Sequence, residues 1–429
     1  MPFQLHRQYK GPSIPKLSLL DAVTVGAVFF LWFAASFDPI GGFGLRYPAL
    51  ALALGLLVIK ATLSQKSYHL SPQYRAMFFL FVVFIPLYGL IVGISRGGIN
   101  GKFIDTSYIS SAFYFICSLL YFDDRLDIEI FLQIAVLVLR LQCLLIFACF
   151  VTVLSSLPRD WIYYLTDHGL MFFGARQYGG ITFPYLYVIT TPMLILLIAR
   201  DAWKFFEKPG TANPLLLLAS AAALFLSGTR ANMFAATVGI LFLWLWYRYR
   251  GFAILHASAI LVVAMLLFLA FKPGVIADML SPSNSSNAVK ISYLAGYDRL
   301  FSDPITMIFG QGYNAHVWSN EFSSMVNFGT ASKTELTYLE FARVFGFVGV
   351  LTSLAVVYIA MKKFSSLSPH FQWVCPALLL YLAISAINPY IFSSNGMMVL
   401  GMCAAIGTID TRKKKVSCKA TSIDAMAQA

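Results

Sequence analysis

Charge is what this sequence has least of. Only 12% of its 429 residues are Asp, Glu, Lys or Arg, while 59% are hydrophobic; soluble domains average roughly 25% charged. That shortage excludes an ordinary soluble domain. The apolar residues come in runs of about 18 to 23, long enough to cross a ~30 Å hydrocarbon layer as helix. Such spans must be helical, because backbone groups in lipid need partners within their own segment.

Other absences narrow the chemistry. There is no CxxC, and the six histidines lack metal-ligand spacing, so no zinc site is expected. Cys117, Cys143, Cys149, Cys375 and Cys403 fall within apolar runs and Cys418 in a basic tail. No external disulfide is therefore expected. There is no Walker loop, no GxSxG and no HExxH. Gly310-Gln311-Gly312 lacks the strand–helix setting of a nucleotide site. With no segment large enough to hydrolyse ATP on the inner side, a reaction would draw on an activated substrate already in the membrane. No cofactor is expected.

What is present is a net charge of +12. On a soluble chain it would suggest nucleic acid. Here it fits the Lys and Arg of cytoplasmic loops, and no nucleic-acid partner is expected. Apolar runs predict spans near 17–36, 45–63, 76–95, 107–122, 130–155, 181–199, 213–228, 231–247, 252–271, 345–361, 371–393 and 396–410. Small residues at Ala34-Ala35-Ser36 imitate a signal-peptide cleavage site, but the run is long for one and reads as a retained anchor. Placing the N-terminus inside puts Lys10, Lys16, Lys60, Arg75, Arg200, Lys204, Arg248 and the tail Arg412-Lys413-Lys414-Lys415 on the cytoplasmic side. The expected fold is all-α: a polytopic transmembrane bundle of about twelve spans, both ends inside.

This divides the chain into 1–271 (spans and short loops, with an outside segment 156–180), a long outside loop 272–344, spans in 345–410, and a basic tail 411–429. A loop of that length is too long for a connector and reads as functional. It opens on a polar stretch, Ser281 to Asn287, expected to be mobile. Its end, Glu335 to Val344, is expected to be helical and to run into the span beginning at 345.

The outer face gathers the groups that could do chemistry. Arg176, Arg230 and Arg299 present forks suited to phosphate, unless each snorkels to lipid headgroups. Glu335 and Glu340 are acid/base candidates if apolar surroundings raise their pKa, unless Lys333 or Arg343 ties them up as ion pairs. His316 and His168 are either loop residues or bases. Tyr338 falls between the two glutamates. Arg140, inside a span, must face protein or water, with Asp21 as a possible partner.

These residues carry a resemblance. Arg176-Gln177-Tyr178-Gly179 before a span, Ser227-Gly228-Thr229-Arg230, a loop arginine at Arg299 before Gly310-Gln311-Gly312, and Glu335-Leu336-Thr337-Tyr338-Leu339 before Gly346-Phe347-Val348-Gly349 stand in the order of the O-antigen polymerase and ligase superfamily. The likeness covers roughly residues 170 to 360. It implies a GT-C-like, metal-independent glycosyltransferase of the bacterial inner membrane with its active site on the periplasmic face. The implied donor and acceptor are undecaprenyl-pyrophosphate-linked glycans, and a flippase and a chain-length regulator are implied partners beside membrane lipid. By resemblance, Arg176 and Arg299 hold the pyrophosphate and Glu335 acts on the acceptor hydroxyl. Arg230, Lys333, Glu340, Arg343, Tyr338 and His316 surround the substrates. Ligases of the superfamily carry a histidine where this chain has Glu335, which favours a polymerase. A ligase with another acceptor and a precursor transporter are the rival readings; a transporter would show internal repeats, and none is visible.

Overall fold

The computed structural model describes residues 18–64, 70–96, 106–122, 126–155, 157–178, 181–210, 213–227, 229–252, 256, 285–313, 336–364, 367–386 and 391–427. It is mostly helical, at 82%. Among the described residues five helices are long and apolar enough to cross a membrane: Leu19–Phe37, Arg46–Leu63, Pro72–Ser95, Ile128–Leu154 and Thr337–Lys362. All five coincide with runs expected from the sequence.

The helices begin and end where local chemistry says they should. In α1 (Leu19–Phe37), Ser18 accepts from the Asp21 backbone while Asp21 reaches back to Ser18 N, a capping box that satisfies donors lacking intrahelical partners. Asp38 closes the next turn by accepting from the backbones of Phe43, Leu45 and Arg46, which leads into α2 (Arg46–Ser64). A π-helical stretch, Phe79–Phe84, joins α3 (Pro72–Phe78) to α4 (Ile85–Ser95). Then come α5 (Thr106–Cys117), α6 (Ile128–Leu154) and α7 (Asp160–Asp167).

The sixth expected span is different. Residues 181–199 do not form one helix. Met171–Tyr178 (β1) and Ile181–Val188 (β2) pair as an antiparallel hairpin, and α8 (Leu194–Glu207) starts only after a short 3-10 turn, Thr191–Met193. The reason is legible afterwards. Aromatic and β-branched residues crowd Ile181 to Val188, and two glycines precede them, a hairpin composition. The hairpin packs on α6 and α7, with Met171, Leu186 and Val188 buried at its base.

After α9 (Pro214–Leu226) and α10 (Arg230–Tyr249), α11 (Ser285–Phe301) and α12 (Pro304–Phe309) occupy part of the long loop. The end of the polar stretch, Ser285 to Asn287, is thus the first turn of a helix, and 281–284 lie outside the described residues. The chain continues as α13 (Thr337–Phe364), α14 (Val374–Ser385) and α15 (Ser394–Ala427). The expected span at 252–271 lies almost wholly outside the described residues, and the helix of the last expected span runs on through the basic tail.

Polar contacts sort the helix ends into two groups. One joins Arg46 to Ser110, Arg96 to Thr306, Asn232 to Thr191, Arg230 to Asn287 and Tyr338 to Leu382. The other joins Ser71 to Thr408, Glu129 to Arg200 and His370, Arg250 to Gln372 and Ser368 to Asp410. Successive long helices alternate between the groups.

Arg140 finds a partner other than the one expected. Its guanidinium pairs with Asp201 on α8 and donates to Ser220 Oγ and, at 2.9 Å, to the Leu216 carbonyl on α9. Asp21 belongs to the α1 cap. Sequence cannot tell these acids apart, because only the packing of α6 against α8 and α9 brings Asp201 near.

Candidate functional site

The end of the bundle that gathers α11, α12 and the start of α13 is built around a break in a helix. Within α13, Gly346 has φ 61° and ψ −173°, which no helix contains. A break leaves nearby carbonyls in need of donors. Those of Arg343 and Val344 accept from Gln311 N at 2.8 Å and Gly312 N at 2.9 Å. Gly310, at φ 79°, lies against the same break. A Cβ on Gly310 would overlap the Val344 carbonyl, and one on Gly346 would overlap Ile308 O and Gly310 N. Only glycine allows both the positive φ and the approach. Tyr313 completes the clasp on α4, donating from its hydroxyl to Ile85 O at 2.8 Å and from its backbone to Gly89 O. The two glycine elements, separate in sequence, are one contact in space.

One turn before the break lies a buried ion pair. Glu340 is 2% exposed and Arg343 3%. Glu340 Oε2 accepts from Arg343 Nε at 2.8 Å and from the Tyr297 hydroxyl at 3.0 Å, while Oε1 takes Arg343 Nη2. The pair fits the i, i+3 spacing of one helix face. Glu340 is therefore engaged in the ion-pair alternative anticipated from its neighbours, and it fastens α11 to α13. Tyr297 is a residue whose part in this sequence reading alone missed, since no spacing rule links it to Glu340.

The remaining expected residues fall as follows. Arg230 begins α10 and donates from Nη1 to Asn287 Oδ1 at 2.9 Å, in the first turn of α11. Arg299 is exposed on α11, two residues from Tyr297. Two residues are about 200° of helix turn, so it lies across α11 from the Tyr297–Glu340 contact. Arg176 sits on β1 opposite Phe183. Tyr338 donates to Leu382 O at 2.7 Å, tying α13 to the end of α14. Glu335, Lys333 and His316 lie outside the described residues. The Glu335 position adjoins Leu336, immediately before α13.

Arg96, just past α4, supports the same end. It donates to Thr306 Oγ1 at 2.7 Å and lies 3.6 Å from Asp303 Oδ2. Asp303 caps α12 through Ile305 N and Thr306 N and accepts from the Thr306 hydroxyl. The Thr306 hydroxyl, then those backbone donors and Arg96, hold the Asp303 carboxyl below its ordinary range. Neither Arg96 nor Asp303 was singled out from sequence; an acid one residue before Pro304 is a helix-start signal that was available. Among the described residues no group of His, Cys, Asp and Glu is placed to hold a metal ion.

Chemically, this end of the bundle sets Arg96 and Arg343 beside the glycine clasp and Arg230 at the first turn of α11. Compared with known proteins, the chain matches no family model and no curated protein.

Proposed function

We propose that the chain is a membrane glycosyltransferase that polymerises undecaprenyl-pyrophosphate-linked repeat units into a surface polysaccharide at the periplasmic face of a bacterial inner membrane. The observation that carries this reading is the Arg230–Asn287 hydrogen bond. It joins the Ser-Gly-Thr-Arg element to the helix bearing Arg299, and the glycine clasp joins that helix's neighbour to the start of α13. These two links, between Arg230 and α11 and between Gly310-Gln311-Gly312 and the helix of Gly346, support the reading. The alternation of helix ends supports a reading with about twelve spans in a GT-C-like arrangement, ends inside, with the clasp end outside.

In this mechanism Arg176 and Arg299 bind the donor pyrophosphate and stabilise it as it departs, a role suited to fixed cationic donors. Glu335 takes the proton of the acceptor hydroxyl as that oxygen forms the new glycosidic bond. Arg230 shapes the donor site, while Glu340, Arg343 and Tyr338 hold the frame; Lys333 and His316 belong to the adjoining loop. Cleavage of the sugar–pyrophosphate bond drives the step without ATP. The Arg140–Asp201 pair would suit a transporter, but its partners Ser220 and Leu216 O close it as a structural contact.

Deleting the gene and running the surface polysaccharide on a gel tests the proposal. Single repeat units on an intact core are expected. Loss of all core-linked glycan with lipid-linked polymer accumulating would point instead to a ligase, and unchanged glycan would sink both. Glu335→Gln is expected to stop chain growth in a protein still inserted in the membrane. Arg176→Lys and Arg299→Lys keep charge but lose the fork; full activity in both would remove the pyrophosphate clamp.

A further inference from the structure

Asn232 is fully buried, and its surroundings fix which way its amide points. Nδ2 donates to Thr191 Oγ1 at 3.0 Å and to Ser227 Oγ at 2.8 Å. Both hydroxyls have already spent their protons, Thr191 on the Val188 carbonyl at 2.7 Å and Ser227 on that of Leu224 at 2.6 Å. Each can only accept from Asn232, so a donor is required at that point. The opposite atom, Oδ1, meets no donor among the described residues. Burying an amide oxygen without a partner costs stability, so an apolar residue would serve a simple packing role better.

The amide stands at a junction. Thr191 follows β2, the strand paired to the one carrying Arg176. Ser227 closes α9. The backbone N–H of Asn232 donates to Thr229 Oγ1 at 3.1 Å, the cap of α10, and the next residue, Arg230, reaches α11. One side chain therefore sets the hairpin against the helix start that aims Arg230.

We propose that Asn232 is a positioning residue: through Thr191 and Ser227 it locks the hairpin of Arg176 to the α10 start and so places Arg230 for the donor. This rests on the function proposed above and names the residue that couples two of its arginines. It touches no reacting atom.

The test has two arms. The first needs no activity. In membranes, an Arg230→Cys/Asn287→Cys pair is expected to be bridged readily by a bismaleimide whose reach matches the arginine-length gap between the two backbones, and several-fold more slowly when Asn232→Ala or Thr191→Val is added. An unchanged rate in both overturns the proposal. The second arm measures polymerisation. Asn232→Ala is expected to lower kcat/KM about a hundredfold, the scale of a small misplacement, and Thr191→Val to lower it in the same direction in protein still inserted in the membrane. In an Arg230→Ala background Asn232→Ala should cost far less than it does in the wild type. Losses that multiply would show that Asn232 acts elsewhere and overturn the coupling. If the wild-type chain makes no polymer, the functional reading fails, while the cross-linking arm still decides the positional claim.

Discussion

Tyr297 donates its hydroxyl to Glu340 at 3.0 Å, inside an ion pair that Glu340 already makes with Arg343. The contact crosses from α11 to α13 and leaves the carboxylate with a donor on each oxygen. Removing one partner of a buried pair strands the other charge and costs about 3–5 kcal/mol. Glu340→Gln is therefore expected to lower the melting temperature in detergent strongly. Tyr297→Phe, which removes one neutral donor, should cost about 0.5–1.5 kcal/mol. A Glu340→Gln protein that melts like wild type but makes no polymer would instead make Glu340 a reacting group.

The glycine clasp gives a second expectation. Gly346→Ala places a Cβ against Ile308 O at a positive φ, so strain of about 1–3 kcal/mol adds to steric overlap. Gly55→Ala is the control: its Cβ would meet nothing within 4 Å, and alanine in a helix interior gains up to about 1 kcal/mol. Thermal melts of the two variants should move in opposite directions.

The Arg140–Asp201 pair should behave non-additively. Asp201→Leu alone leaves the arginine without its anion in an apolar bundle, while Arg140→Met with Asp201→Leu removes both charges. Replacing both partners of such a pair is often neutral or stabilising, so the double variant is expected to melt above the Asp201→Leu single. Measuring Asp21→Ala beside them separates the cap of α1 from this pair, and loss of the hydrogen bond from Ser18 N is expected to cost about 0.5–1.5 kcal/mol.

Asp303 predicts a pH dependence. Its carboxyl is held low by Thr306, the α12 backbone donors and Arg96, so the unfolded chain, with a pKa near ~3.9, takes up its proton first as pH falls. The ionised cap then contributes fully above about pH 4 and is lost as pH drops through the depressed folded value. The gap in melting temperature between wild type and Asp303→Asn should be constant near neutrality and close below about pH 4. A gap that persists there would assign it to another cause.

Much of the frame was legible. Long apolar runs fixed the positions of α1, α2, α6 and α13 because lipid admits only self-satisfied helices, and the helix from Glu335 onward was expected to within two residues. The hairpin was not, since an apolar run of strand formers reads like a span when length alone is weighed. The break at Gly346 was equally silent: a glycine inside an apolar helix costs little to write, and its φ depends on what approaches it.

Among the candidate residues, sequence determined that Glu340 and Arg343 share a helix face. Only tertiary structure decided that Arg140 meets Asp201, that Arg299 lies across α11 from Glu340, and that Asn232 joins the hairpin to Arg230. The reason is physical. Helical periodicity and hydropathy act between residues a few positions apart, whereas these contacts join helices tens of residues distant, whose approach is set by packing of the whole bundle.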